Sequence, residues 1–381
     1  MNDTAMEERA ALVEAVRDFA NAELAPFAAE RDAGKIFPVE ALAAAGELGL
    51  GGIYVGDEYG SGLSRLDAVA IFEELAKGDT AVAAYISIHN MTAWMIDTFG
   101  SAEQRARWLP GMTSMRDLGA YCLTEPGAGS DAAAITTSAR REGDEYVING
   151  TKQFISGAGA AAVYVVMVRT GGPGASGIST VVVEKDTPGL SFGPNEHKMG
   201  WNAQPTRQVI FEDVRVPVGN RLSEEGDGFR IAMKGLNGGR VNIGACSVGG
   251  AQWALERATA YVQERHAFGA PLAANQSIVF ALADIETDLQ AARALLERAA
   301  TKMDSNASDT AVACALAKRF ATDAAFDAAN KALQLHGGYG YLHEYGIERV
   351  VRDLRVHQIL EGTNEIMRTI IGRGLLQGGK R

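Results

Sequence analysis

The sequence predicts an α+β protein in which a sheet domain sits between two helical ones, and three observations carry that expectation. Apolar residues recur at helical spacing over residues 1–117. Short β-branched segments separated by turn residues fill 118–222, and long amphipathic stretches return over 223–381. A chain of 381 residues is long enough for roughly two to three domains and for a deep site that excludes water.

In the first region Leu12, Val16 and Phe19, then Val69, Phe72 and Leu75, fall at helical spacing, with breaks at Pro38 and around Gly51. Near Leu118 the texture changes. YCLT, EYVING, FISGA, AAVYVVMVR, GISTVVVEK and RQVIFEDVRVPV are short and β-branched, separated by GD, GG-P-G and TPG turns. From about Gly226 the helical pattern returns, with amphipathic stretches around 250 to 264, 275 to 303 and 308 to 335. One stretch resists a simple helical reading. Residues Gly235, Gly238, Gly239, Gly244, Gly249 and Gly250 crowd into MKGLNGGRVNIGACSVGGAQ, and each costs about 1 kcal/mol relative to Ala inside a helix. Either the helix starts after Gly250, or a ligand or second helix approaches bare backbone there.

Composition removes several functions. Lys plus Arg total 36 against 47 Asp plus Glu, a net charge of −11, which argues against sequence-independent nucleic-acid binding and adhesion to anionic lipid. Cys122, Cys246 and Cys314 are far apart and form no C-x-x-C, so neither a disulfide scaffold nor a zinc ribbon is expected. The 6 histidines contain no H-E-x-x-H, and no metal site is expected. No apolar run approaches the roughly 20 residues of a membrane span. The start, MNDTAMEERAALVEAVRDFA, is acidic and amphipathic, unlike a secretory signal or an Arg-rich transit peptide, and the expected location is cytoplasmic. The 44 glycines exceed the usual proportion of about 7% without any collagen-like period, so backbone freedom is being used for something.

Four segments could carry chemistry. YCLTEPGAGSD, residues 121 to 131, ends a strand in a turn whose backbone N–H groups and Thr124 and Ser130 hydroxyls can bond a polar ring edge or a phosphate. It matches neither G-x-G-x-x-G nor the P-loop, so a plain turn remains the alternative. Glu361, in HQILEGTNEIMR, follows the apolar Ile359 and Leu360 and precedes a helix with Thr363 as N-cap. An exposed acid beside a helix N-terminus is one reading; a partly desolvated base with a raised pKa is the other. QLHGGYGY, 334 to 341, reads as a helix C-cap or as a backbone surface for a cofactor. Arg265 and Phe268, in ERHAFG, sit at the end of a long helix, where Arg either complements the dipole or pairs with a pyrophosphate.

Taken together, YCLTEPGAGSD, FISGA, RHAFGAPLAANQ, QLHGGYGY and ILEGTNEIMR stand in the order and spacing of the acyl-CoA dehydrogenase family, which the chain resembles over essentially its whole length. AYISIHNMTAWMID, RTGGPG, VVVEKDTPGLSFG, GWNAQPTRQVIFED and GLNGGRVNI bring it closest to members acting on short branched acyl chains.

The resemblance implies an N-terminal helical domain, a middle β-barrel-like sheet domain and a C-terminal four-helix bundle. It also implies a homotetramer, noncovalent FAD, and an electron-transferring flavoprotein as electron acceptor. Tyr121, Cys122, Leu123, Thr124, Gly129 and Ser130 would line the flavin, with Phe154, Ile155 and Ser156 against its ring. Arg265, Phe268, Asn275 and Gln276, with Gln334, Leu335, His336, Gly337 and Gly338, would reach FAD across a subunit interface. Thr363, Asn364 and Glu365 would hold its diphosphate and adenosine end. Ser130, Asn237, Gly238, Gly239, Arg240 and Arg373 would contact the acyl-CoA. Glu361 would take the α-proton. In some branches the base comes instead from the position of Gly239, which is vacant here. The implied reaction is α,β-dehydrogenation of a short branched acyl-CoA, with other short acyl chains as the near alternative. A noncatalytic DNA-binding flavoprotein of this fold would want a basic C-terminal face, and only a short GGKR tail offers one.

Overall fold

The computed structural model describes residues 3–378, so Gly379, Lys380 and Arg381 of the basic tail lie outside the described residues. The N-terminal region is helical: α1 (Asp3–Phe19), α2 (Ala28–Gly34), α3 (Val39–Glu47), α4 (Arg65–Gly78), α5 (Thr80–Phe99) and α6 (Ala102–Thr113). The local chemistry explains where these helices begin. Ser64 and Ser101 close capping boxes with Asp67 and Gln104, and Asp79 accepts from the Ala81 and Val82 N–H groups to start α5 one residue after α4 ends.

The sheet follows, with β1 (Gly119–Cys122), β2 (Ser138–Glu142), β3 (Glu145–Ser156), β4 (Val163–Arg169), β5 (Ile178–Glu184), β6 (Leu190–Phe192), β7 (Thr206–Pro217) and β8 (Arg221–Leu222). Their order is β6-β7-β3-β2-β4-β5-β8, and β1 runs parallel to β4. Strands β4 and β5 are buried along nearly their whole length, as their unbroken β-branched runs require. The pairing of β3 with β7 slips between Lys152 and Ile155. Phe154 sits in that slip at φ +58 and is 63% exposed, so the irregularity turns an aromatic side chain out of the sheet.

The C-terminal region comprises α7 (Gly228–Glu264), a hairpin of β9 (His266–Ala267) and β10 (Ala270–Pro271), α8 (Gln276–Asp304), α9 (Thr310–His336), α10 (Ile347–His357) and α11 (Asn364–Gly378). Helix α9 packs on α7, α8, α10 and α11, while α7 also touches α4 and α5. Helix α7 is thus the common axis, and one continuous buried cluster runs from the N-terminal helices through the sheet into the C-terminal bundle.

The glycine-rich stretch lies inside α7, which runs unbroken for 37 residues. Most of its glycines let other elements approach. A Cβ on Gly249 would overlap the Glu73 carbonyl oxygen of α4; on Gly244 it would meet Leu296, and on Gly250, Thr80. Close helix contact outweighs the propensity cost of glycine.

Gly249→Ala is therefore expected to lower the urea midpoint, with overpacking of about 1–3 kcal/mol exceeding the gain of about 1 kcal/mol in helix propensity. Gly372→Ala in α11, where an added Cβ meets nothing within 4 Å, is expected to raise the midpoint, through a gain in stability of up to about 1 kcal/mol. Paired denaturation curves read both signs.

Candidate active site

A cavity of about 1020 Å³ opens where the three regions meet. Its lining includes Ile88 and Met91 of α5, Tyr121 of β1, Leu123, Thr124 and Gly129 to Ala133 of the turn that follows, and Phe154 to Ser156 at the end of β3. The loop Glu196 to Trp201, four side chains of α7, and Glu361 with the residues around it complete the wall. Phe229, Met233, Leu236 and Arg240 recur at intervals of three and four, so they form one stripe along α7 that faces the cavity.

Glu361 lies in the turn between α10 and α11 at φ +56, an uncommon conformation for a side chain of this size. Its carboxylate rests against α7: a Cβ on Gly239 would overlap Oε2. Oε2 is shielded and has no hydrogen-bond partner. Burial pushes the Glu361 carboxyl up to about 7, although Arg240 and Lys318 pull in the opposite direction. Arg240 is itself 4% exposed, donating from Nε to the Glu361 carbonyl oxygen at 3.1 Å and from Nη1 to Asn237 Oδ1 at 2.9 Å. Among the described residues the Tyr121 hydroxyl is the other shielded, unpartnered side-chain polar group on the cavity wall, and burial followed by the charge of Glu361 raises its pKa.

The turn after β1 is held from below. Lys152 and Glu125, both buried, pair at 2.8 Å, and Lys152 also donates to the Leu123 carbonyl oxygen at 3.1 Å. Glu125 further accepts from the Thr136 and Thr137 N–H groups. Burial opposes its ionisation, but the Lys152 ammonium and these donors hold its carboxyl down at about 2.

A second clamp holds the loop before β7. Trp201 N donates to Asp353 Oδ1 at 2.5 Å, and Trp201 Nε1 donates to His357 Nε2 at 3.1 Å. The Ser247 hydroxyl donates to the Ile243 carbonyl oxygen, so His357 Nδ1 must donate to Ser247 Oγ at 2.7 Å. The imidazole is neutral and fixed in one tautomer. Burial and then Lys318 push its pKa down to about 3.

A separate groove gathers Arg265, Gln334, Leu335, His336, Gly337 and Gly338 with Tyr261, Leu272, Tyr339 and Leu342. Tyr261 stacks on His336 at 4.4 Å between centroids, and the Arg265 guanidinium lies 5.5 Å from the Tyr339 ring centre. Phe268 is fully exposed at the tip of the β9–β10 hairpin, and Asn275 and Gln276 are exposed at the start of α8.

Of the residues expected from sequence, Tyr121, Leu123, Thr124, Gly129, Ser130, Phe154, Ile155, Ser156, Arg240, Glu361 and Arg373 come together in the first cavity. Cys122 does not, since its side chain is buried in the core on the other face of β1. Gly238 packs against Arg65. Thr363 caps α11 through Ile366 N, Glu365 is exposed, and Asn364 is buried with its amide bonded to Lys318, Thr322 and Asp323. Ile88, Met91, Phe229, Met233, Leu236, Trp201 and Lys318 were not expected. Spacing from Arg240 back to Phe229 is the signal for three of them. Trp201 falls within the GWNAQPTRQVIFED segment of the resemblance without a role assigned to it, and nothing in the sequence marks Lys318.

The segments fit a flavin. Cβ atoms on Gly127, Gly129 and Gly338 would meet nothing within 4 Å, in contrast to the α7 glycines, so packing within this chain does not require their bare backbone. Among the described residues no three His, Cys, Asp or Glu side chains gather as a metal-ligand set, and no helix is long and apolar enough to cross a membrane.

Three family models match in series: acyl-CoA dehydrogenase N-terminal domain over residues 6–116, middle domain over 120–214 and C-terminal domain over 226–376. The chain belongs to the acyl-CoA dehydrogenase family, whose activity is flavin-dependent dehydrogenation of an acyl-CoA. It is 55% identical to the mitochondrial isobutyryl-CoA dehydrogenase of Bos taurus, covering 97% of this chain and 89% of that one. Identity to the Dictyostelium discoideum isobutyryl-CoA dehydrogenase is 53%, covering 94% and 86%. Butyryl-CoA dehydrogenase from Megasphaera elsdenii superposes with a TM-score of 0.94 at 39% identity, covering 99% of both chains.

The Lys152–Glu125 pair makes a pH prediction. A carboxyl depressed from 4.5 to about 2 on folding contributes stability that is complete above pH 4.5 and lost as pH falls through about 2. Glu125→Gln should flatten that acid limb of the stability curve, read by urea titration at successive pH values.

Proposed function

We propose that the protein converts isobutyryl-CoA to methacrylyl-CoA, a step of valine breakdown, with Glu361 as base, noncovalent FAD as hydride acceptor and an electron-transferring flavoprotein downstream. The observation that carries the role of Glu361 is its unpartnered Oε2, held against bare helix backbone in the cavity with a carboxyl pushed to about 7. A base poised near working pH and denied internal partners is suited to accept a proton from carbon. The choice of substrate is supported by the 55% and 53% identities to isobutyryl-CoA dehydrogenases.

Bound FAD would supply the hydride acceptor for the β-hydrogen. Glu361 takes the α-proton, so the electron pairs of the two C–H bonds supply the new double bond and the hydride. The Glu361 backbone N–H would stabilise the charge that develops on the thioester oxygen, and bound FAD would supply a further hydroxyl donor. Phe229, Met233 and Leu236 keep that surface apolar and exclude water, which strengthens those bonds. Thr124, Ser130, Phe154 and Ser156 hold the flavin, while Ser130, Asn237, Arg240 and Arg373 meet the acyl-CoA.

The second groove serves the same cofactor from a neighbouring copy. Along α7, Arg240 at the cavity and Tyr261 at the groove are separated by 261 − 240 = 21 residues, about 30 Å of rigid helix. One ligand uses both linings when a second subunit supplies the groove. The exposed Phe268, Val279, Phe280 and Tyr341 give that contact its apolar surface, and we read the assembly as a homotetramer. Three free, buried cysteines accord with a cytoplasmic location.

Glu361→Gln is expected to purify yellow with FAD and to show no bleaching by isobutyryl-CoA under anaerobic conditions; undiminished bleaching removes Glu361 as the base. In the wild type the bleaching rate should climb as pH rises through about 7, because the base acts as the carboxylate. Discrimination against 2-methylbutyryl-CoA should stay within about 10–200-fold in kcat/KM, the worth of one methylene. A larger preference for 2-methylbutyryl-CoA would reassign the substrate.

A further inference from the structure

Lys318, on α9, has 0% of its surface exposed. Its Nζ donates to the Gly362 carbonyl oxygen at 2.8 Å and to Asn364 Oδ1 at 2.9 Å, and both partners are neutral. A buried ammonium without a carboxylate at hydrogen-bond distance is costly, and a methionine of similar length would fill the space without that desolvation. The charge falls on one place in particular. Gly362 follows Glu361 directly, Asn364 opens α11, and the backbone between them has to hold Glu361 at φ +56 and Gly362 at φ +93. Asn364 passes the restraint on, donating from Nδ2 to Thr322 Oγ1 at 3.0 Å and to Asp323 Oδ1 at 2.7 Å, so the turn is tied to one face of α9.

We propose that Lys318 is a positioning residue for proton abstraction, pinning the Glu361–Asn364 turn through two hydrogen bonds while its fixed charge stands beneath the base. The inference rests on the reading of Glu361 as the base. Five groups bear on that carboxyl from the surrounding elements: Arg240 and Cys246 from α7, Lys318 from α9, Tyr121 from β1, and Tyr54 from the turn between α3 and α4. Only Arg240 and Lys318 are cations. Burial drives the Glu361 carboxyl upward, and these two charges keep it from rising further, so that the ionised form is available near neutrality.

Lys318 in turn feels Glu361, Arg240, Asp323, Glu365 and the neutral His357. Burial lowers its own pKa to about 8, which leaves it predominantly charged at pH 7. Arg240 cannot substitute for it. The arginine approaches from α7 and holds the Glu361 carbonyl oxygen, whereas Lys318 approaches from α9 and holds the next carbonyl along. The two cations thus fix successive peptide groups of the turn from opposite helices.

The test compares Lys318→Met, Lys318→Gln and Lys318→Arg, each purified with FAD, by anaerobic stopped-flow bleaching with isobutyryl-CoA across pH. Loss of the charge should raise the midpoint of the rate profile by about one unit or more, the size of effect expected for one nearby opposite charge. The rate at pH 7 should then fall about fivefold or more and recover substantially at high pH. A merely structural lysine would lower the rate at every pH without moving the midpoint.

Lys318→Gln keeps a donor and loses the charge, so it carries the test if the methionine variant fails to fold. Lys318→Arg, with the charge kept, should retain the wild-type midpoint. The protonated-carboxyl infrared band that Glu361→Gln removes gives a readout independent of turnover, and its titration should shift upward by the same amount in Lys318→Gln. An unmoved midpoint in Lys318→Gln, or a moved one in Lys318→Arg, overturns the proposal. If Glu361→Gln still bleaches, the base assignment itself has failed; if it is dead while Lys318→Gln titrates like wild type, only the role of Lys318 has.

Discussion

The site depends on one close approach: the carboxylate of Glu361 lying against the backbone of α7 where Gly239 has no side chain. With any Cβ at that position the carboxylate would have to move, and the turn carrying it would move too. The contact also removes Oε2 from solvent without offering it a donor, which produces the raised pKa. Geometry and acidity therefore have a single origin. The positive φ at Glu361 and Gly362 follows from the same demand, since the chain must reverse between α10 and α11 while presenting the side chain toward α7.

Among the described residues, three of the nine non-glycine positions at positive φ line the cavity. Phe154, Trp201 and Glu361 all have φ near +55 and all line it, and each is held by a different element. A register slip in β3 turns Phe154 outward, α10 grips Trp201 through Asp353 and His357, and α9 grips the Glu361 turn through Lys318. Buried polar groups anchor the second and third of these. These are expensive arrangements in a stability sense, and they persist because the surrounding core is continuous across all three regions.

Much of this was legible in the sequence, for identifiable reasons. Period and turn chemistry revealed the succession of helices, sheet and helices, because amphipathic spacing and β-branched runs act locally. Glu361 stood out since Ile359 and Leu360 precede it and Gly362 follows. The glycine-rich stretch showed that something approaches α7, but not what: Gly244, Gly249 and Gly250 admit other helices, Gly238 admits Arg65, and Gly239 admits the carboxylate. Lys318 was silent, and Trp201, although inside a segment of the resemblance, carried no sign of its role. Their importance lies in contacts made 44 and 156 residues away, and a single lysine in a helix or a tryptophan in a loop looks the same whether it meets solvent or a buried turn.

The length of α7 reaches beyond architecture. One helix carries the acyl-facing stripe near Arg240 and, about 30 Å along, the aromatic groove beside Arg265. On the subunit pairing proposed above, a lesion at Glu361 silences the centre of its own subunit, whereas a lesion at Arg265 damages its neighbour's. Two inactive alleles, one of each kind, would then complement when co-expressed, because some mixed assemblies contain a centre built entirely from intact halves. A gene encoding such a protein experiences selection on pairs of subunits, and its mutational genetics is that of the assembly.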